Sequence, residues 1–129
     1  MITEAPPIIL AIDDDPVILN LTVGLLRKKY RLRPFTSGLT AFKYLALPAG
    51  RADLILLDYH LPDLSGPEIM ARLRSDPATA GIPVIFLTGL SEEGDAAEIM
   101  KLGAVDYLKK PPAAADLLSK VELHLRTNP

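Results

Sequence analysis

The sequence contains no cysteine and only two histidines among its 129 residues. The missing thiols exclude disulfide bonds, thiolate catalysis and zinc sites built on cysteine. His60 and His124 are too few for a metal site made of imidazoles. No apolar run comes near the roughly 18 residues that indicate a transmembrane helix. No basic segment precedes the first apolar run, which argues against a signal peptide. We therefore expect a cytoplasmic protein without membrane insertion.

An excess of positive charge is also absent. The formal net charge is -2 and the isoelectric point is about 5.6, so the chain has no basic field for direct binding of nucleic acid. Its length suits one domain with a genuine hydrophobic core, and no repeat or internal linker divides it. We predict a single domain over residues 1–129, with its core at about residues 7–126.

The chain alternates five times between a short apolar run and a segment with helical spacing. The runs are predicted strands at Ile8–Ile12, Arg31–Phe35, Leu54–Leu57, Pro83–Leu87 and Ala104–Leu108. The helices are predicted at Pro16–Tyr30, from a cap at Ser37 to an end by Pro48 and Gly50, and at Pro67–Arg74, Glu92–Leu102 and Ala113–Leu125. Strict alternation with short connections predicts a parallel sheet covered by helices on both faces.

Polar residues suited to chemistry stand at the ends of four predicted strands. The run Asp13-Asp14-Asp15 closes the first, and Asp58, Thr88 and Lys110 follow the third, fourth and fifth. The carboxyl ends of parallel strands border the ligand crevice of an open α/β sheet. Adjacent carboxylates repel one another unless a cation relieves them, and a carboxylate can form an aspartyl-phosphate. Each residue alone has a simpler interpretation: a turn, a strand end or a surface lysine. Asp15 is best explained as a helix cap.

Four stretches of this chain resemble the receiver domains of two-component response regulators, and the resemblance covers practically the whole chain. They are Ile-Leu-Ala-Ile-Asp-Asp-Asp-Pro, Leu-Ile-Leu-Leu-Asp-Tyr-His-Leu-Pro-Asp-Leu-Ser-Gly, Ile-Pro-Val-Ile-Phe-Leu-Thr-Gly and Gly-Ala-Val-Asp-Tyr-Leu-Lys-Lys-Pro. The resemblance implies a flavodoxin-like, doubly wound α/β fold. Its five-stranded parallel sheet would have the order 2-1-3-4-5, with five helices.

The resemblance also implies the acceptor and its metal. Asp58 would accept a phosphoryl group, with Mg²⁺, or Mn²⁺ as a substitute, as the cofactor. Asp14 would bind the metal directly, and Asp13 directly or through water. Asp58 and the backbone carbonyl of His60 would complete the protein ligands.

The resemblance implies a switch as well. Thr88 and Lys110 would bind the phosphoryl oxygens, Tyr107 would change rotamer, and the bond between Lys110 and Pro111 would be cis. The donor would be a phosphohistidine on a sensor histidine kinase or a histidine phosphotransfer protein. The fourth helix, fifth strand and fifth helix would form the output face toward an unknown downstream protein. Homodimerisation stays open, and so does the choice between a stand-alone regulator and a receiver excised from a longer chain.

Such a domain is a phosphoacceptor that catalyses only its own phosphotransfer and dephosphorylation. The resemblance implies that His60 and Leu90 occupy positions that tune dephosphorylation, and an apolar Leu90 leads us to hypothesise that dephosphorylation is slow. Two other classes fit less well. A haloacid-dehalogenase-type phosphatase needs an aspartate two residues after the nucleophile, where this chain has His60. In a flavodoxin, three aspartates after the first strand would repel the FMN phosphate. A pseudo-receiver that takes no phosphate stays open.

Overall fold

The sheet has five parallel strands in the order β2-β1-β3-β4-β5, which confirms the predicted fold class. The computed structural model describes residues 5–89 and 93–126, apart from the side chains of 93–95 and 126. The elements are β1 (Ile8–Ile12), α1 (Pro16–Leu26), β2 (Arg31–Phe35), α2 (Gly38–Leu45), β3 (Leu54–Asp58), α3 (Gly66–Ser75), β4 (Val84–Thr88), α4 (Glu93–Lys101), β5 (Asp106–Lys109) and α5 (Ala114–Arg126). Within the described residues, no helix is both long and apolar enough to cross a membrane.

The sheet is buried on both faces, as its apolar strands require. Every residue of β1, β3 and β4 is buried. Side chains alternate between two cores, one of which includes Leu10, Leu57 and Phe86, and the other Ile9 and Leu56. At one edge, β2 exposes Arg31 and Pro34, a charge and a proline that blunt an edge against further strand pairing.

Three of the predicted helix starts are fixed by side-chain caps. The Asp15 carboxylate accepts a hydrogen bond from the backbone N–H of Val17, and the Ser37 side chain caps α2. Ser65 and Glu68 form a reciprocal capping box at the start of α3. These caps set where each helix begins after a strand, and so where the loops at the carboxyl edge of the sheet lie.

Two predicted boundaries were wrong by more than one residue. Helix α1 ends at Leu26 rather than Tyr30, because the Leu26 carbonyl accepts bonds from the N–H groups of both Lys29 and Tyr30 in a turn that redirects the chain into β2. Strand β5 begins at Asp106 rather than Ala104, because its pairing with β4 starts at Ile85 and Asp106. Residue 92, the predicted start of the fourth helix, lies outside the described residues.

Candidate functional site

Two carboxylates lie side by side, buried, at the carboxyl edge of the sheet. Ile12 and Leu57 are partners in the pairing of β1 with β3, so Asp13 and Asp58, one residue further along each chain, come to the same level. Asp13 is only 2% exposed and Asp58 only 3%. Two buried carboxylates at one level repel each other and are costly to desolvate, so a cation is needed between them.

Lys110 supplies that positive charge. Its ammonium nitrogen lies 2.8 Å from Oδ2 of Asp13 and 3.1 Å from Oδ1 of Asp58. The backbone N–H of Lys110 donates to the Thr88 carbonyl at 2.8 Å, which ties the residue after β5 to the end of β4. Lys109, by contrast, is exposed. The geometry therefore selects Lys110 of the two adjacent lysines.

Asp13 and Asp58 share a single cation, Lys110, and the pKa of Asp58 reflects this imbalance. Burial raises the pKa of Asp58 from 3.8 to about 6, and the nearby charge of Asp13 adds to this. Hydrogen bonds from the His60 N–H and from Lys110 oppose the rise without cancelling it. Burial lowers the pKa of Lys110, but its hydrogen bonds to Asp13 and Asp58 outweigh that effect and leave this pKa raised.

The same carboxylates fit a divalent cation. One oxygen from each of Asp13, Asp14 and Asp58 lies within 4.8 Å of the others. Asp14 is exposed, whereas the other two are buried. Oδ2 of Asp13 is buried, with the ammonium of Lys110 2.8 Å away. Hard carboxylate oxygens open to water on one side are the donors that Mg²⁺ prefers, so the donor set suits that ion.

Thr88 and Tyr107 lie on the same face of neighbouring strands. Tyr107 is the pairing partner of Phe86 on β4, and Thr88 is two residues further along that strand. Thr88 is buried at 2% exposure, and Tyr107 is half-buried against the core beneath α2, α3 and α4. The ammonium of Lys120 stands 5.5 Å from the centre of the Tyr107 ring and donates to its backbone carbonyl. The two residues are therefore diagonal neighbours on one face of the sheet.

Other predicted site residues lie around this centre. The His60 N–H donates to Oδ1 of Asp58 at 3.1 Å, while the imidazole is on an exposed residue. The bond between Lys110 and Pro111 is cis. Leu90, one of the two predicted tuning residues, lies outside the described residues. Asp15 has its carboxylate on the Val17 N–H, as expected for a helix cap.

One feature of the site did not follow from the sequence: Lys110 contacts Asp13 more closely than Asp58. Position at strand ends predicted that these groups converge, but not which oxygen the ammonium would approach. A second is the aromatic Tyr59, whose hydroxyl donates to a carboxylate oxygen of Glu98 on α4 at 3.2 Å. Nothing in the local sequence signals a contact between residues so far apart along the chain.

Comparison with known proteins identifies this arrangement. Residues 9–122 match the family model of the response regulator receiver domain. The chain is a response regulator receiver domain. Phosphorylation and a Mg²⁺ site are general features of this family, and they fit the buried aspartates and Lys110 of this receiver domain.

The relatives agree with the family. The receiver domain is 40% identical over 118 residues to a probable cyclic di-GMP phosphodiesterase of Vibrio cholerae serotype O1, covering 92% of this chain and 26% of that protein. It matches a response regulator structure from Chloroflexus aurantiacus at 28% identity and a TM-score of 0.87, covering 94% and 98% of the two chains. A Mn²⁺-bound response regulator, Rcp1, matches at 30% identity and a TM-score of 0.74, covering 91% and 90%. The chain spans about half or less of the length of the curated relatives it matches.

The raised pKa of Asp58 predicts how the stability of the metal-free receiver domain depends on pH. Between 3.8 and about 6 the folded state holds a proton that the unfolded chain has lost, so stability falls as pH rises through that window. The carboxyls of Asp63 and Asp106 have lowered pKa values and act below the window. In urea unfolding with EDTA, the free energy of unfolding of Asp58→Asn should rise relative to that of the wild type by up to about 1.4 kcal/mol for each unit that the pH is raised through this window. A constant difference from pH 4 to pH 6 would contradict this.

Proposed function

We propose that Asp58 of this receiver domain accepts a phosphoryl group from a phosphohistidine on a sensor histidine kinase or a histidine phosphotransfer protein. The observation that carries the proposal is the buried Asp58 carboxylate, held by Lys110 beside Asp13 and Asp14. Asp58 needs no general base, because an ionised carboxylate is already a nucleophile. We take residues 1–129 as one domain, with its core at about 7–126, and place it in the cytoplasm as part of the same proposal.

Mg²⁺, with Mn²⁺ as a substitute, would be held by Asp13, Asp14, Asp58 and the backbone carbonyl of His60. The ion would supply positive charge for the phosphoryl oxygens, which is the main requirement of phosphoryl transfer. Lys110 would supply the remaining charge. It already stands 3.1 Å from an Asp58 oxygen, so a small movement of a long side chain takes it to the incoming group. The domain would thereby promote its own phosphotransfer and dephosphorylation.

Thr88 and Tyr107 would change position in response to the phosphoryl group. It brings strong acceptor oxygens and about -1.5 to -2 charges, and the Thr88 hydroxyl at the end of the neighbouring strand is a donor for them. A shift of Thr88 would change the space beside its diagonal neighbour Tyr107 on the same face. The output would be a changed surface on α4, β5 and α5, read by a downstream protein, by a second copy of the domain or by an attached output domain.

Labelling with acetyl phosphate tests the acceptor. With Mg²⁺, intact-mass analysis should show one phosphoryl adduct that is stable in acid and labile in base, and borohydride reduction followed by peptide analysis should place it at residue 58. Removing the metal with EDTA should abolish the adduct, because the two buried carboxylates then repel the incoming phosphoryl group. Equal labelling with and without Mg²⁺, or the absence of any adduct, would refute the proposal.

The lifetime of the adduct tests the proposed tuning by His60 and Leu90. An apolar Leu90 cannot hydrogen-bond a hydrolytic water, so we expect the acyl phosphate to outlast seconds. The measurement is decay of the adduct after removal of acetyl phosphate. Leu90→Glu should shorten the lifetime, because a carboxylate there can accept a hydrogen bond from water, while Leu90→Met serves as the apolar control. A wild-type lifetime of seconds would contradict the expectation.

A further inference from the structure

Tyr59, the residue directly after the proposed acceptor, is held firmly by its surroundings. Its backbone N–H donates to the Leu87 carbonyl at 3.1 Å, and its own carbonyl accepts from the Gly66 N–H at 3.2 Å. Its ring packs edge-on against Phe86 and His60, with ring centres 5.4 and 4.9 Å apart. The packing against Gly66 is so close that an added Cβ there would lie 3.1 Å from the ring. The ring therefore moves with the backbone that carries Asp58.

The hydroxyl of this fixed ring reaches α4. It donates to Oε1 of Glu98 at 3.2 Å, and Glu98 is an exposed residue of that helix. Helix α4 is otherwise lightly anchored: of its side chains that the structure describes (96–101), only Ile99 is buried. A single hydrogen bond thus adds appreciably to the attachment of α4, and it connects the helix to the residue next to Asp58.

We infer that Tyr59 is a positioning residue that couples the acceptor loop to α4 through its hydrogen bond with Glu98. The inference rests on the proposed function, because it concerns how an acyl phosphate at Asp58 is communicated. Oδ1 of Asp58 now accepts from the His60 N–H and contacts Lys110. A phosphoryl group on this carboxylate draws Lys110 away and changes what the oxygen can offer to His60. The backbone of residues 58–60 then adjusts, and the Tyr59 hydroxyl moves relative to Glu98.

This route uses a different contact from the one through Thr88 and Tyr107, namely the hydrogen bond between Tyr59 and Glu98. That route passes from β4 to its neighbour β5 through strand pairing, whereas the Tyr59 hydroxyl connects the β3–α3 loop to α4 by a side-chain hydrogen bond. Both start at Asp58, but they end on different elements of the output face. The two responses can therefore be measured independently in one protein.

Hydrogen–deuterium exchange of the full chain, with and without Mg²⁺ and beryllofluoride as the phosphoryl mimic, tests the coupling. In the wild type, exchange should change in both α4 and β5. Tyr59→Phe keeps the ring but removes the hydroxyl, and Glu98→Ala removes the acceptor. Each should reduce the α4 response about fivefold, because that factor corresponds to the free energy of one modest hydrogen bond. Neither should change the β5 response. Glu98→Gln retains an acceptor oxygen and should keep most of the α4 response. Tyr30→Phe, a hydroxyl deletion elsewhere, should change neither response.

A wild-type α4 response in Tyr59→Phe and Glu98→Ala would overturn the inference while leaving the proposed function in place. Parallel losses in α4 and β5 would also overturn it, because they would indicate general loosening of the fold. The double variant Tyr59→Phe/Glu98→Ala gives a further test. If its loss of α4 response equals the sum of the two single losses, the two side chains act independently and the inference is overturned. A wild type that gives no response anywhere with the mimic would refute the proposed function together with the inference.

Discussion

Asp58→Asn is expected to lose all labelling by acetyl phosphate and yet to remain folded. An amide is not a nucleophile toward phosphorus, and no other described carboxylate shares the ammonium of Lys110 with Asp13 as Asp58 does. The substitution also removes one of two buried negative charges that share one cation, which leaves Asp13 and Lys110 as a balanced pair. Breaking a buried ion pair is normally costly, but this change relieves repulsion rather than creating an unpaired charge.

Two measurements separate these effects. Intact-mass analysis after acetyl phosphate and Mg²⁺ should show no adduct on Asp58→Asn, and urea unfolding at pH 7 with EDTA should show stability equal to or above that of the wild type. Asp76→Asn, an exposed aspartate that accepts the Ala78 N–H, is the matched control and should label normally. An adduct at the wild-type level on Asp58→Asn would move the acceptor to another carboxylate of the cluster.

The fold was predictable because the sequence patterns are strong and local. A strand buried on both faces must be a continuous apolar run, and the bounds of β1 agree with the predicted ones. The end of α1 was not predictable in this way. Arg27 to Lys29 are good helix formers that extend the helical pattern, and the chain leaves the helix only because it must reverse into β2. Tertiary geometry overrode local propensity there.

The site was predictable in its location but not in its internal contacts. Residues at the carboxyl ends of parallel strands lie at the same edge of the sheet, so the sequence alone predicted that Asp13, Asp58 and Lys110 come together. The approach of Lys110 to both carboxylates depends on the path of the chain after β5, which no local pattern encodes. The reach of Tyr59 to Glu98 depends in the same way on where α4 docks.

Lys110→Met should be the most destabilising single change in the site. Methionine has a similar volume but no charge, so Asp13 and Asp58, at 2% and 3% exposure, would be left as neighbouring buried carboxylates without their cation. Removing one partner from a buried charge cluster costs roughly 3–5 kcal/mol. We expect a loss of that order in urea unfolding at pH 7 with EDTA. Lys109→Met, at an exposed neighbour, is the matched control and should change stability by less than about 0.5 kcal/mol.

Three manipulations should restore stability to Lys110→Met if repulsion between the carboxylates is the cause. Adding Asp58→Asn removes one of the two charges and should recover most of the loss. Lowering the pH from 7 to 5 should recover part of it, because protonation of the raised-pKa carboxyl of Asp58 does the same. Mg²⁺ should stabilise the variant by about 2.7 kcal/mol at one hundred times its dissociation constant. If Lys110→Met/Asp58→Asn is no more stable than Lys110→Met alone, the loss of stability comes from packing and not from repulsion between Asp13 and Asp58.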